Sequence, residues 1–430
     1  MTILHRFPLA VAALAALALP LGAVSLTPAR PEEVGLSPER LQRVREAVQR
    51  HVDEKTIAGA VTIVARRGRV AHFEAQGLMD VEGRKPMAKD AIFRLASTSK
   101  PITSVAVMML VEEGKVRLSD PISRFIPEFA ALNKVAVPRP GGRGAAGGGR
   151  GAGRGGGEPA YDLVTANREI TVQDLLTHGS GLLSGGLGAS AAPTRSPDDT
   201  LAAYIPKLAA VPLDYQPATL WRYSGQAGFD VLSRIVEIAS GLPYDRFLKT
   251  RIFDPLGMKD TGFVVPAASQ PRLATIYRRT PEGLQRGENQ NMLMRTTYFS
   301  GAGGMVSTAE DYLHFAQMLV NGGELDGKRL LGPRTVELMT ANHTGDMVNG
   351  QFGRPARGMG FGLGVQTVLD PVAADLRQSP GTFGWAGAFG TNVNMDPKER
   401  MVTVVFIQNQ GGSGALHRDF ENAVMQAIVE

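Results

Sequence analysis

Residues 91–103 read Ala-Ile-Phe-Arg-Leu-Ala-Ser-Thr-Ser-Lys-Pro-Ile-Thr, and the interpretation of the whole chain starts from this stretch. It places Ser97 and Lys100 in a Ser-x-x-Lys arrangement, and the apolar run 105–111 follows directly. If Ser97 opens a helix, Lys100 lies one turn further along the same face, since residues three apart are neighbours there. A serine hydroxyl needs a base within hydrogen-bond reach to act as a nucleophile, and a lysine with a lowered pKa can supply one. The four-residue pattern alone is weak, so its meaning depends on the rest of the chain.

The composition excludes several classes of protein. The 430 residues can form one large domain or two, and 43% apolar with 20% charged residues is ordinary for a globular enzyme. The absence of cysteine excludes disulfides, thiolate metal sites and a cysteine nucleophile. No Gly-x-Ser-x-Gly and no His-Glu-x-x-His occurs, which disfavours an α/β-hydrolase nucleophile and a metal hydrolase. We therefore expect no cofactor and no metal, and we expect His178, beside a glycine turn, to be structural.

The first 25 residues predict a secretory signal peptide. His5 and Arg6 give a short basic start, the apolar stretch 8–21 follows, and residues 23–25 fit a signal-peptidase site. The apolar core is too short and too rich in alanine for a comfortable membrane span, although an uncleaved anchor is the alternative. No other stretch approaches the roughly 18 apolar residues of a membrane helix. We expect one secreted or periplasmic domain over 26–430, with no stable membrane span once the signal is removed.

Hydrophobic periodicity outlines a fold that combines one sheet with helices. Apolar residues at helical spacing predict helices, and β-branched or alternating runs predict strands. The predicted helices cover 38–53, 170–177, 201–209, 226–240, 244–253, 309–321 and 417–429, and the predicted strands cover 57–65, 69–76, 361–368, 389–395 and 401–408. Strands flank both ends and helices fill the middle. The pattern predicts the α/β (α+β) class, with one sheet built from N- and C-terminal parts and a mostly helical lobe, roughly 97–298, inserted between them.

The composition changes abruptly between positions 138 and 160. Residues 141–157 contain eleven glycines and three arginines, and such a segment cannot bury enough apolar surface to order itself. An RGG-like nucleic-acid-binding segment is one interpretation. A signal peptide at the start of the chain favours the other, a flexible surface insertion that costs little thermodynamically. The net charge of +5 falls to about +1 without the local arginines 139, 143, 150 and 154, so we expect no nucleic-acid partner.

Two further motifs accompany the Ser-x-x-Lys. Tyr223-Ser224-Gly225 stands directly before the predicted helix 226–240, and Trp385-Ala386-Gly387 lies near the C-terminal strands. In this order the three motifs resemble those of the serine penicillin-recognising superfamily. That superfamily includes class C β-lactamases, D-Ala-D-Ala carboxypeptidases and the β-lactamase-like family VIII carboxylesterases. The resemblance covers most of residues 35–430 and implies a β-lactamase/transpeptidase-like fold, with an antiparallel sheet flanked by helices.

The resemblance implies a role for each motif. Ser97 would be the acylated nucleophile, and Lys100 and Tyr223 would transfer its proton. The backbone N–H groups of Ser97 and Ala388 would form the oxyanion hole. A tyrosinate near an ammonium is held ionised, and a lysine near another cation is held neutral, so the two side chains titrate as a coupled pair. Either of them can be the general base on this evidence.

Two departures from the family pattern concern the substrate. β-Lactamases and peptidases usually carry Lys-Thr-Gly or His-x-Gly at the third motif, where Trp385 offers an indole N–H and an apolar face without charge. The family's Tyr-x-Asn ends here in Gly225, which lacks the amide that would contact the lysine and an acylamino group. Trp-x-Gly is common in the carboxylesterase branch, and both changes disfavour a carboxylated peptide. We expect the substrate to be contacted by Trp385, Ala386, Gly387 and Ser224.

The sequence thus predicts a serine hydrolase that cleaves small carboxylic esters, with short acyl chains favoured. Hydrolysis of a β-lactam or a D-Ala-D-Ala peptide by the same residues is the first alternative. A non-catalytic penicillin-binding-like protein is the second, and the presence of Ser97, Lys100 and Tyr223 argues against it. The sequence does not indicate the oligomeric state.

Overall fold

The described part of the protein comprises most of the chain beyond the predicted signal. The computed structural model describes residues 26–131, 133–139, 161–287, 290, 297–348, 357–411 and 413–430. The predicted signal peptide, 1–25, and nearly all of the Gly/Arg-rich insertion, 138–160, lie outside these residues, so both stay predictions, as does export. Among the described residues no helix has the length and apolar character needed to cross a membrane.

Most helices begin and end where local signals predict. The Ser37 side chain accepts a hydrogen bond from the Arg40 amide at the start of the first helix, and Gly241 ends the fifth with a φ of 73°. The predicted helix 201–209 is a short α-helix continued by a 3-10 turn, Ile205–Ala210. In the described residues the α-helices are α1 Pro38–Asp53, α2 Lys100–Glu112, α3 Val172–Leu176, α4 Leu201–Tyr204, α5 Ala227–Ser240, α6 Tyr244–Leu248, α7 Ala309–Val320, α8 Pro333–Thr340 and α9 Gly414–Met425.

The strands form one large sheet and several two- or three-stranded ones. They are β1 Gly59–Arg66, β2 Arg69–Asp80, β3 Lys85–Pro86, β4 Phe93–Arg94, β5 Lys134–Pro138, β6 Tyr161–Thr165, β7 Tyr277–Thr280, β8 Gly283–Arg286, β9 Val306–Ser307, β10 Glu324–Leu325, β11 Lys328–Arg329, β12 Met359–Phe361, β13 Gln366–Val368, β14 Phe383–Ala386, β15 Asn392–Asp396, β16 Met401–Phe406 and β17 Asn409–Gln410. The predicted single strand 361–368 is wrong. A turn closed by the Gly362 amide and the Val365 carbonyl divides it into β12 and β13.

The large sheet joins the two ends of the chain, as predicted. Its order is β12-β13-β14-β15-β16-β1-β2-β3, and neighbouring strands are antiparallel. β1 pairs with β2 on one side and with β16 on the other, where Val61 lies opposite Phe406. This arrangement is the mixed α/β architecture that the sequence pattern predicts, with one antiparallel sheet built from both ends of the chain.

Helices cover both faces of this sheet, and β1 is buried along its whole length. On one face, Val48 of α1 and Phe420 of α9 belong to the same apolar cluster as Val64. On the other face, Ile63 belongs to the larger cluster that also contains Val105 of α2. Successive strand residues point to opposite faces, so adjacent positions of β1 serve two different cores. The sheet is therefore a rigid base against which α2 and the turn before it are held.

Candidate active site

Ser97 lies in a 3-10 turn, Ala96–Ser99, that leads directly into α2. The helix therefore begins at Lys100 rather than at Ser97, but Lys100 still lies one turn further on, as the Ser-x-x-Lys spacing predicts. The buried Tyr312 hydroxyl donates a hydrogen bond to the Thr98 carbonyl at 2.8 Å and so fixes the turn against α7. The nucleophile candidate thus stands on a rigid corner between the sheet and the helices.

Lys100 is fully buried and held by backbone oxygens. Its Nζ donates to the Gly225 carbonyl at 2.8 Å and to the Ala302 carbonyl at 2.7 Å, and lies 3.3 Å from the Ser97 Oγ. No ion pair of Lys100 occurs among the described residues. Because a buried amine needs hydrogen-bond partners, the two carbonyl oxygens explain how the chain can bury this lysine beside Ser97 without a carboxylate.

Tyr223 completes the group. Its hydroxyl lies 2.6 Å from the Ser97 Oγ, and the Lys100 Nζ lies 5.0 Å from the centre of its ring. The three side chains that the sequence motifs singled out therefore meet at one point, although Tyr223 is far from the other two in the sequence. The Ser97 hydroxyl has two proton-transfer groups within reach, and the shorter distance is to the tyrosine.

The structure places Ser224 differently from its expected contact with substrate. Its side chain is buried, its hydroxyl donates to the Leu182 carbonyl at 2.9 Å, and it accepts a hydrogen bond from the Gly228 amide at 3.3 Å. A hydroxyl used in this way holds the start of α5 and the chain segment that carries Tyr223. Its neighbour Gly225 contributes the backbone carbonyl that accepts a hydrogen bond from Lys100.

His178 stands behind Tyr223 and is structural, as expected from the sequence. Its Nδ1 accepts a hydrogen bond from the Ser224 amide at 3.3 Å. Complete burial, assisted by the nearby charge of Lys100, holds the pKa of His178 well below its usual range, so the ring is neutral. Its ring packs against five aromatic rings at centroid distances of 4.7–6.4 Å: Trp221, Tyr223, Phe229, Phe361 and Trp385.

The third motif lies beside this aromatic cluster. Trp385, on β14, is 6% exposed, and its ring centre lies 5.5 Å from that of Tyr223. Ala386 and Gly387 are half-buried, and Ala388 is exposed. A Cβ at Gly387 would stand 2.2 Å from the Leu95 carbonyl oxygen, so only glycine lets the end of β14 come this close to the turn that carries Ser97.

This close approach joins the two turns expected to supply the oxyanion hole. The Thr98 and Thr391 hydroxyls share a hydrogen bond of 2.8 Å, and the Thr391 hydroxyl also donates to the Leu95 carbonyl at 2.9 Å. Ala388 lies in the turn that the Gly387 amide closes by donating to the Thr391 carbonyl at 2.7 Å. The turn with Ala388 is thus fixed against the turn with Ser97.

The sequence motifs missed the groups that hold the lysine. The carbonyls of Gly225 and Ala302 have no signature, because every residue carries a carbonyl. What the assembled groups can do is clear from their chemistry. A hydroxyl with a phenol and an amine in reach can be activated as a nucleophile, and backbone amides beside it can stabilise an oxyanion.

Comparison with known proteins identifies the family. The family model described as Beta-lactamase matches residues 44–426, and the chain belongs to this family. Protein Rv1367c of Mycobacterium tuberculosis is 37% identical over 83% of this chain and 87% of its own length. Esterase EstB of Burkholderia gladioli is 31% identical over 86% of this chain and 91% of its own. The solved structure of EstCE1, a hydrolase with promiscuous acyltransferase activity, is 27% identical with a TM-score of 0.72 over 90% of this chain and 99% of that one. The protein is a serine hydrolase of the β-lactamase-like type.

Proposed function

We propose that the protein hydrolyses carboxylic esters with short acyl chains through an acyl-enzyme on Ser97. The observation that carries the proposal is the position of the Ser97 Oγ, 2.6 Å from the Tyr223 hydroxyl and 3.3 Å from the Lys100 Nζ. The uncharged Trp385 beside these groups favours a neutral ester over a carboxylated substrate. Two of the similar proteins, EstB and EstCE1, are named as an esterase and a hydrolase.

Tyr223 is the group that takes the serine proton in this proposal. Lys100 donates N–H groups to two carbonyls and lies further from the Ser97 Oγ than the Tyr223 hydroxyl does. Its Nζ lies 5.0 Å from the centre of the Tyr223 ring, where a positive charge would stabilise a phenolate. In the reactive form Tyr223 is a phenolate, and the Ser97 Oγ attacks the ester carbonyl carbon as its proton passes to the phenolate oxygen, which becomes a phenol. The tetrahedral intermediate then collapses, and the alcohol leaves with the proton that Tyr223 returns.

Water completes the cycle by the reverse sequence of proton transfers. A water molecule attacks the acyl carbon while Tyr223 accepts its proton, and Ser97 leaves as a hydroxyl when that proton is given back. The products are the free acid and the regenerated enzyme. The backbone amides of Ser97 and Ala388 stabilise the oxyanion in both halves.

The test uses purified Ser97→Ala and Tyr223→Phe variants with p-nitrophenyl acetate as substrate. We expect Ser97→Ala to abolish turnover. We expect Tyr223→Phe to lower kcat by about 10²- to 10⁴-fold, the usual contribution of a general base. Tyr204→Phe is the matched control, because within the described residues the Tyr204 hydroxyl has one hydrogen bond, to the Pro193 carbonyl. Full activity in Ser97→Ala would contradict the mechanism.

A second assay separates esters from β-lactams. The same preparation is given p-nitrophenyl acetate and a cephalosporin, and kcat/KM is measured for each. We expect the ester to have the higher value, because the Trp385 position offers no cation for the substrate carboxylate. A higher value for the cephalosporin would reverse this ranking and favour the β-lactamase alternative.

A further inference from the structure

A buried carboxylate stands behind the catalytic lysine without touching it. Asp230 of α5 is 2% exposed, and it accepts three hydrogen bonds from one short segment, residues 298–302. The Tyr298 hydroxyl donates to Oδ2 at 2.9 Å. The Ser300 hydroxyl and the Ala302 amide donate to Oδ1 at 2.6 and 3.3 Å. A carboxylate with only donors around it is satisfied in its ionised form, although burial raises the pKa of Asp230.

The segment 298–302 also provides one of the two carbonyls that bind Lys100. The Ala302 carbonyl accepts the Lys100 ammonium at 2.7 Å, and the Gly301 carbonyl accepts the Thr103 hydroxyl at 2.8 Å. The segment therefore bridges α5, which carries Asp230, and α2, which carries Lys100 and Thr103. The position of this segment between α5 and α2 therefore determines the position of the Ala302 carbonyl oxygen.

We propose that Asp230 is a positioning residue for the reaction: by fixing the segment 298–302 it sets the place of the Ala302 carbonyl, and through that carbonyl the place of Lys100 relative to Ser97 and Tyr223. This inference rests on the proposed function of those three side chains. Ser300 belongs to the same hydrogen-bond network, because its hydroxyl and the Ala302 amide donate to the same Oδ1 atom of Asp230. The segment's other contacts with α5 and α2 would keep it folded without the carboxylate, only less firmly placed.

The predicted consequence is a loss in rate rather than in substrate binding. Asn at position 230 keeps the volume but removes the negative charge and replaces the Oδ2 acceptor by an N–H pair, so the hydrogen bonds that hold the segment become weaker and its position less fixed. A shift of about 1 Å in a catalytic group can cost on the order of 100-fold in rate. We expect Asp230→Asn to lower kcat for p-nitrophenyl acetate by about 10- to 100-fold while KM changes less than about threefold.

The experiment compares Asp230→Asn with Glu237→Gln. Glu237 lies on the same helix and suffers the same chemical change, but it binds Arg234 and the Tyr244 amide instead of the segment 298–302. Both variants are checked for folding by thermal unfolding before kinetics. Ser300→Ala is a second variant, for which we expect a smaller fall in kcat. If Asp230→Asn does not fold, Ser300→Ala tests the positioning role in its place.

The rate at which a fluorophosphonate labels Ser97, read by mass spectrometry, is measured on the same samples. This readout needs no ester substrate, so it separates the two proposals. We expect labelling of Asp230→Asn to slow in parallel with kcat and labelling of Glu237→Gln to match the unchanged protein. Equal labelling rates in all folded variants would overturn the positioning role alone. Labelling without ester turnover would overturn only the proposed substrate, and no adduct on the unchanged protein would overturn both.

Discussion

Gly225 acts in the site through its carbonyl and through the side chain that it lacks. The carbonyl binds Lys100 at 2.8 Å, the residue is exposed, and a Cβ added to it would meet no atom within 4 Å. Open space therefore lies where a side chain of residue 225 would stand. Part of a substrate bound to Ser97 can use this space, since nothing in the described protein fills it.

Filling this space should change which esters are accepted. We expect Gly225→Leu to lower kcat/KM for p-nitrophenyl butanoate by about tenfold more than for the acetate, because a larger acyl group needs room that the leucine occupies. Gly225→Ala should have a smaller effect in the same direction. The measurement is the ratio of the two kcat/KM values for each variant, and Gly262→Leu, also at an open position, is the control. An unchanged ratio in Gly225→Leu would place the acyl group elsewhere.

Among the residues of the site, the sequence identified the side chains that belong to motifs but not the groups that hold them in place. Ser97, Lys100 and Tyr223 could be found because their types and order form a pattern. Asp230 could not, because its effect on Lys100 passes through a backbone carbonyl that any residue would provide. The burial of Ser224 could not be predicted for a related reason, since it depends on Leu182 and the approach of α5, and its expected contact with substrate stays a prediction.

The pairing of β1 with β2 buries a second histidine away from the site. His72 of β2 hydrogen-bonds the Thr62 hydroxyl at 2.9 Å and is 9% exposed. Burial, and to a smaller extent the charges of Lys89 and Arg45, lowers the pKa of His72 to about 4. In the unfolded chain the same ring takes a proton near its ordinary pKa of about 6.5.

The strand pair should therefore weaken in acid. Between pH 6.5 and pH 4 the unfolded chain binds a proton at His72 that the folded protein does not, so the free energy of unfolding falls as the pH falls. At pH 5 this loss is about 2 kcal/mol. We expect His72→Gln, which keeps a partner for Thr62, to lose less stability between pH 7.5 and 5 in urea titrations. His343→Gln serves as the control, and a pH dependence for His72→Gln equal to that of the unchanged protein would contradict the assignment.

The elements that local chemistry defines were predicted closely, and those that tertiary contacts define were not. α1 and α5 carry their own signals, a serine at the start of one and a glycine at the end of the other. The sequence predicted β12 and β13 as one strand, because the apolar run from Phe361 to Val368 resembles a single strand. Only their antiparallel pairing, with Met359 opposite Val368, reveals the turn.

The hairpin β5–β6 shows where the Gly/Arg-rich insertion is attached to the whole molecule. Pro138 and Tyr161 are partners in its register, so the chain leaves and re-enters at one place. We expect replacement of 139–160 by Asn-Gly to keep ester turnover and to raise the free energy of unfolding by about 2 kcal/mol through the shorter loop. Urea titration and a p-nitrophenyl acetate assay check this, with a variant in which Ser replaces Arg143, Arg150 and Arg154 as the length-matched control. Loss of activity in the short variant alone would assign the insertion a catalytic role.

The place of β1 between β2 and β16 has a consequence for how the protein is made. During synthesis β1 is made early and β16 almost last. The edge of β1 that pairs with β16 therefore stays unpaired while the helical middle of the chain is made. Such an edge is a template for pairing with other chains. A chain stopped before Met401 therefore lacks β16 and keeps an unpaired edge along β1, from Val61 onward.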